Sequence, residues 1–180
     1  MDSPDSVYGL GLEQGVNRLV EYNPRWPRAF AEEAARIKAA LGELALDIQH
    51  FGSTAVPGLR AKPIIDLVIG VAESDHGLLF IEPLAGLGYD YAGSQGIVDH
   101  HIFGRGIART HLAHVVIHES ESWRRCLGFR DRLRADAEAR EAYEALKLRL
   151  AAGAASRAEY TWGKTRFVEQ HSAPVPGEGR

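Results

Sequence analysis

The run Ile64-Ile65-Asp66-Leu67-Val68-Ile69-Gly70-Val71 constrains this chain more than any other stretch. It is apolar, rich in β-branched residues and too short for a helix that packs along a layer, so it reads as a buried strand. One carboxylate sits inside it. An unpaired acid among Ile64, Ile65, Leu67, Val68 and Ile69 would cost several kcal/mol, roughly 2–7 even for a neutral polar group. Asp66 is therefore expected to have a purpose.

The elements around this strand follow from local signals. Asn23-Pro24 reads as a helix start, with Asn as N-cap, and Arg25 to Leu46 carries Ala, Glu and Leu at helical spacing. Asp47 to Phe51 alternates like a short strand, broken by Gly52-Ser53-Thr54, and Lys62-Pro63 marks another boundary. His76 to Leu87 reads as a helix ended by Gly88. Tyr89 to Gly93, Val98 to Phe103 and Leu112 to His118 are strand candidates. Residues 120–170 are helical, with Gly153 and Ser156 as the break between two helices. The expected architecture is α/β (α+β): a mixed sheet flanked by helices, with helices at the C-terminal end. Residues 1–20 read as a loosely ordered lead-in, 21–171 as a single domain and 172–180 as a disordered tail.

At 180 residues the chain is long enough for one domain with a real core. A net charge of −3 gives no electrostatic reason to expect nucleic acid as a partner. No apolar run approaches the roughly 20 residues that span a bilayer, so no membrane partner is expected. The start of the chain has neither the basic nor the apolar region of a signal peptide, which makes the cytoplasm the default. The single cysteine, Cys126, excludes an internal disulfide and a Cys-rich zinc site, and it reads as a packed thiol. Gly9-Leu10-Gly11 with Gly15 has the wrong spacing for a dinucleotide fingerprint, and no Gly-x4-Gly-Lys-Ser/Thr loop exists.

The chemistry concentrates where Phe51-Gly52-Ser53 leaves one strand and Asp66 lies in the next. A Gly-Ser turn exposes backbone N–H groups and a hydroxyl, and a helix starting there would offer its N-terminus to a phosphate. A carboxylate on the neighbouring strand could then bind a metal bridging that phosphate. Arg60 and Lys62 lie close to the turn in sequence. Arg130 and Arg134, and Tyr160 and Lys164, are four residues apart on helical stretches, where they could clamp phosphates together with Lys147. Each of these also has a plain reading, as a solvated helix face or a hydrogen-bonded turn.

The block His50 to Val71, HFGSTAVPGLRAKPIIDLVIGV, resembles the signature of the GrpB family of nucleotidyltransferase-like proteins. Tyr22-Asn23-Pro24-Arg25-Trp26, Thr110-His111 with His114-Val115, Phe129-Arg130-Asp131 with Leu133-Arg134, Tyr143 with Leu146-Lys147, and Tyr160 with Lys164-Thr165 extend the resemblance over about residues 20 to 170. It implies the nucleotidyltransferase fold, in which a Gly-Ser turn contacts a triphosphate and strand carboxylates hold two metals. On that footing Gly52, Ser53 and Thr54 face the phosphates and Asp66 ligates Mg or Mn. One departure stands out: the wider superfamily places a second acid two residues after the first, where this chain has Val68.

Histidines are the other ligand candidates. His111 and His114 match the family pattern, with His100, His101 and His118 nearby, and with Asp66 they would suit Zn, Mn or Fe. Three functions follow. Nucleotidyl transfer to a small acceptor would use Ser53 and Asp66 in catalysis, with Arg60, Lys62, Arg130, Lys147, Tyr160 and Lys164 holding phosphates. A module that binds a nucleotide or another small phosphorylated ligand without turning it over accounts for the missing acid. A His/Asp metalloenzyme would use Asp66, His111 and His114. The acceptor and the oligomeric state are not written in the sequence.

Overall fold

The computed structural model describes residues 4–94, 99–153 and 157–172. Seven helices and five strands are formed among them: α1 (Pro4–Val7), α2 (Trp26–Leu41), β1 (Asp47–Phe51), β2 (Ile65–Val71), α3 (Ile81–Ala85), β3 (Tyr89–Tyr91), β4 (His100–Arg105), β5 (His111–Ile117), α4 (Glu121–Ala135), α5 (Ala137–Gly153), α6 (Arg157–Trp162) and α7 (Thr165–His171). The sheet order is β1-β2-β5-β4-β3. Only β2 and β5 run parallel, with Asp66 opposite Leu112 and Val68 opposite His114. The β1–β2, β4–β5 and β3–β4 pairs are antiparallel.

The apolar run of β2 is explained by its place. It lies between β1 and β5, and both of its faces are covered. Ile65, Leu67 and Ile69 are fully buried and pack with Phe103, Ala113 and Val115 beneath α2 and α3. Each contributes about 1.5–3 kcal/mol by leaving water. α2 buries Trp26, Ala29, Glu33, Ile37 and Leu41, spaced three or four apart along one stripe. The opposite sheet face carries Val68 and Val116, which pack against Trp123 of α4. A further cluster joins Val56 and Leu59 to Phe129 and Leu133 of α4 and Tyr143 of α5.

Residues before α2 show no periodicity, yet Tyr8 and Leu12 are buried. Isolated bridges tie Leu12 to Arg109 and Val20 to Ala61. Asn23 does not occupy the cap position of α2, which falls at Arg25. Instead its Oδ1 accepts from the Arg25 amide and its Nδ2 donates to the Tyr8 carbonyl, so it joins the two segments. The expected helix over His76–Leu87 is a 3₁₀ stretch, Ser74–Phe80, running into a short α3. Gly77 weakens a helix there, while Pro83 falls in the first turn of α3 where its missing N–H costs nothing.

The C-terminal region breaks more often than its composition suggests. Asp136 adopts an extended conformation and its Oδ1 accepts from the Ala139 amide, ending α4 and starting α5. Gly163 separates α6 from α7, where a side chain would stand 2.5 Å from the Leu150 side chain. Among the sequence expectations, the strand start at Val98, the break at Ser156 and the tail 173–180 lie outside the described residues. No helix among the described residues is long and apolar enough to cross a membrane.

Candidate functional site

A cavity of about 330 Å³ lies between the Asp66 face of the sheet and the C-terminal helices. Its floor is Phe51, Gly52, Ser53, Asp66, Leu112 and His114. Lys62 and Ile64 form one wall, and Arg125, Cys126, Phe129, Tyr143, Thr161, Lys164 and Val168 form the other. Of the residues expected from sequence, Gly52, Ser53, Lys62, Asp66, His114 and Lys164 come together here.

Gly52 adopts φ 70°, and a Cβ at this position would stand 2.5 Å from Asp66 Oδ2. Glycine is thus required twice, for the turn and for the approach of the carboxylate. The turn continues as a three-residue 3₁₀ segment, Ser53–Ala55, not as an α-helix. The expected helix N-terminus is therefore not formed, and a phosphate here would meet turn amides, a hydroxyl and lysines.

Cations surround the turn in layers. Tyr160 is 1 % exposed, and its ring has Lys62 Nζ at 3.9 Å and Lys164 Nζ at 4.4 Å from the centroid. Tyr160 thus orders two ammonium groups that line the cavity. Lys147, also 1 % exposed, sends Nζ to Ser53 Oγ at 3.1 Å and to the Arg60 carbonyl. Burial and then the charge of Lys164 push its ammonium down to about 7, with Glu144 opposing.

Other expected ligand-binders have structural duties. Thr54 is buried and its hydroxyl lies 3.0 Å from His50 Nε2. Arg60 points to Glu21 and Glu144. Arg130 Nη1 donates to the His50 carbonyl at 2.9 Å, and Arg134 Nε donates to the Ala55 carbonyl at 2.9 Å. The spacing of four had suggested a phosphate clamp; the two arginines instead clamp the backbone on either side of the Gly-Ser turn.

The expected metal set is not assembled. His111 pairs with Ile65 in the register, which puts it on the α2 face, opposite Asp66. It is 2 % exposed, with Nδ1 3.0 Å from Thr110 Oγ1. His114 is on the Asp66 face, where Nδ1 lies 2.8 Å from His100 Nε2 and the ring meets Phe51 edge-on. Burial lowers both histidines to about 3, so they are neutral. His118 packs on Trp123, and His101 lies near the Ser74 carbonyl and Tyr91. Val68 is fully buried in the cluster with Val116 and Trp123. Asp66 is the one carboxylate among the cavity's described lining residues, and no group of three or more His, Cys, Asp or Glu among the described residues could hold a metal ion. Two divalent ions need more than this donor set offers.

Sequence reasoning missed Arg125, Phe129, Tyr143, Thr161 and Val168 as lining residues. Tyr143 and Phe129 belong to the residues that carry the GrpB resemblance, but spacing gives them no place in a site, since aromatic residues at helical spacing read equally well as core. Cys126 also lines the cavity, and burial raises its thiol to about 11, so it is neutral.

Comparison with known proteins bears on the family and the fold. The GrpB protein family matches residues 17–173. The glutamate-rich protein GrpB of Alkalihalophilus pseudofirmus is 34% identical over 168 residues, spanning 89% of this chain and 97% of that protein. The crystal structure of the conserved protein GrpB from Enterococcus faecalis superposes with a TM-score of 0.79 at 35% identity, covering 86% of this chain and 94% of that one. At the level of fold alone, the Cid1 poly(U) polymerase with Mg 3'-dATP bound gives a TM-score of 0.56 at 13% identity, over 82% of this chain and 50% of that one. The sheet and its flanking helices thus have the nucleotidyltransferase fold, and the chain belongs to the GrpB family.

Proposed function

We propose that the cavity binds a nucleotide or another small phosphorylated ligand, with a phosphate at the Gly52–Ser53 turn between Lys62 and Lys164. The observation that carries this reading is the pair of ammonium groups held on Tyr160 beside a Gly-Ser turn, over a cavity of about 330 Å³. Ammonium groups and turn N–H groups complement phosphate charge, and partial burial strengthens both. The fold also supports it: Cid1 holds nucleotides on the same scaffold. Binding is favoured over two-metal nucleotidyl transfer because Val68 fills the place of a second acid with packed core.

Thermal-shift and calorimetric titration with nucleoside triphosphates, pyrophosphate and orthophosphate, with and without Mg, tests the reading. A ligand at 100 times its Kd stabilises by about 2.7 kcal/mol. Lys164→Ala and Lys62→Ala should each weaken binding, while Asp66→Ala should leave metal-free binding intact or tighten it. No response to any phosphorylated compound refutes the proposal. Binding that needs Mg and disappears in Asp66→Ala would return the protein to metal-dependent transfer.

A further inference from the structure

Ser53 is contacted from two directions. It lines the cavity, while from the protein interior Lys147 Nζ approaches its Oγ at 3.1 Å. A lysine that only held the turn in place would be most effective as a permanent ammonium. Lys147 is instead 1 % exposed, and burial and the neighbouring Lys164 bring its ammonium down to about 7 while Glu144 resists. Tyr143 faces it at 5.0 Å, and the Arg60 carbonyl accepts one of its protons. In the neutral state the amine keeps an N–H for that carbonyl and turns its lone pair to the Ser53 hydroxyl. That is the arrangement of a nucleophile with its base.

We propose that Ser53 is a covalent nucleophile toward phosphorus and Lys147 its general base. This rests on the reading that a phosphate occupies the turn. Ser53 Oγ attacks the terminal phosphorus of a phosphomonoester or phosphoanhydride. The Oγ–P bond forms as the P–O bond to the leaving oxygen breaks. The Ser53 proton passes to Lys147 Nζ, and the leaving oxygen, opposite Ser53 across the phosphorus, departs into the cavity as an anion and takes its proton from water. Water then attacks the phosphoserine from the cavity side, the Oγ–P bond breaks, and Lys147 returns its proton to Ser53 Oγ. This releases orthophosphate and restores Ser53. Lys62 and Lys164 stabilise the charge spread over the transferring phosphoryl oxygens.

The test incubates the full chain with acetyl phosphate or p-nitrophenyl phosphate in the presence of EDTA. Intact mass and peptide fragmentation then locate any phosphoryl group, and orthophosphate binding is measured in parallel by calorimetry. The expected result is one phosphoryl group on Ser53, absent in Ser53→Ala and formed at least about 100-fold more slowly in Lys147→Met. In the wild type, the labelling rate should rise as pH passes through about 7, where Lys147 loses its proton. That profile needs no variant to fold. Phosphate binding without label on Ser53 overturns the inference and leaves the binding reading standing. A rate flat across that pH range, or label on another residue, also overturns it. If no phosphorylated compound binds at all, the reading of the cavity fails and the inference falls with it.

Discussion

At position 52 the missing side chain does as much as any side chain present. Gly52 combines φ 70° with a carboxylate 2.5 Å from where a Cβ would stand. Gly52→Ala is therefore expected to cost about 1–3 kcal/mol in backbone strain alone. The clash with Asp66 adds to that, and urea unfolding measures the sum. Phosphate binding should weaken in the same variant, since the turn must open. Position 68 makes the converse case. Restoring an acid with Val68→Asp puts a carboxylate among Val116 and Trp123. A loss on the order of 3–5 kcal/mol is expected, read as a lower Tm, because the charge has no partner there. The turn and Asp66 were legible in sequence because a Gly-Ser break and an acid inside an apolar strand are rare where they stand. The fate of Arg130 and Thr54 was not. Spacing tells which residues share a helix face and says nothing of whether a backbone carbonyl or a ligand lies opposite.

Among the elements, α4 has the largest share in placing the site. It packs Trp123 on the sheet, lines the cavity with Arg125, Cys126 and Phe129, and reaches the turn through Arg130 and Arg134. Arg130 is 11% exposed, so its bond to the His50 carbonyl is shielded from water. Arg130→Ala should cost about 1.5–3 kcal/mol, as hydrogen bonds to charged groups do. It should also loosen the turn, which hydrogen exchange at residues 51–55 would show as faster opening. The strands β1 and β2 follow the sequence pattern closely, because alternation and continuous apolar runs report burial directly. The helix boundaries follow it less well. Asp136 accepts from the Ala139 amide and separates α4 from α5, a break not expected because the residue lies inside an unbroken run of helix formers. The placement of His111 needed the β2–β5 register, and only the folded sheet reveals which residue of β5 stands opposite Ile65.

For the molecule as a whole, four histidines, three of them buried and His114 half-buried, decide the response to acid. His50, His111 and His114 are lowered to about 3 and His100 to about 4, all first by burial. Their folded values lie below the ordinary 6.5, so the unfolded chain binds more protons throughout the window between. Stability is therefore fully present above about 6.5 and is lost as pH falls toward 4. Urea midpoints measured from pH 7.5 down to pH 4.5 should fall steadily, and replacing one of the four with Gln should flatten the curve. These histidines sit on three strands and both sheet faces, so the effect belongs to the fold and not to the cavity alone. The overall architecture was legible in the sequence, since one core-forming strand and its flanking helices leave little choice. The cavity was legible in part, because its far wall comes from helices whose apolar residues read as ordinary packing.

That far wall has a consequence for the protein's birth. Among the described residues every strand lies before residue 118, so the five strands are all made once β5 has left the ribosome. Tyr160, Thr161, Lys164 and Val168 are translated long afterwards. A chain that ends after α5 can thus hold the finished sheet, with the Gly52–Ser53 turn clamped by α4, and still lack Tyr160, Thr161, Lys164 and Val168 from the far wall. On the proposed reading, binding needs α6 and α7, so a phosphorylated ligand would stabilise only chains that extend through them.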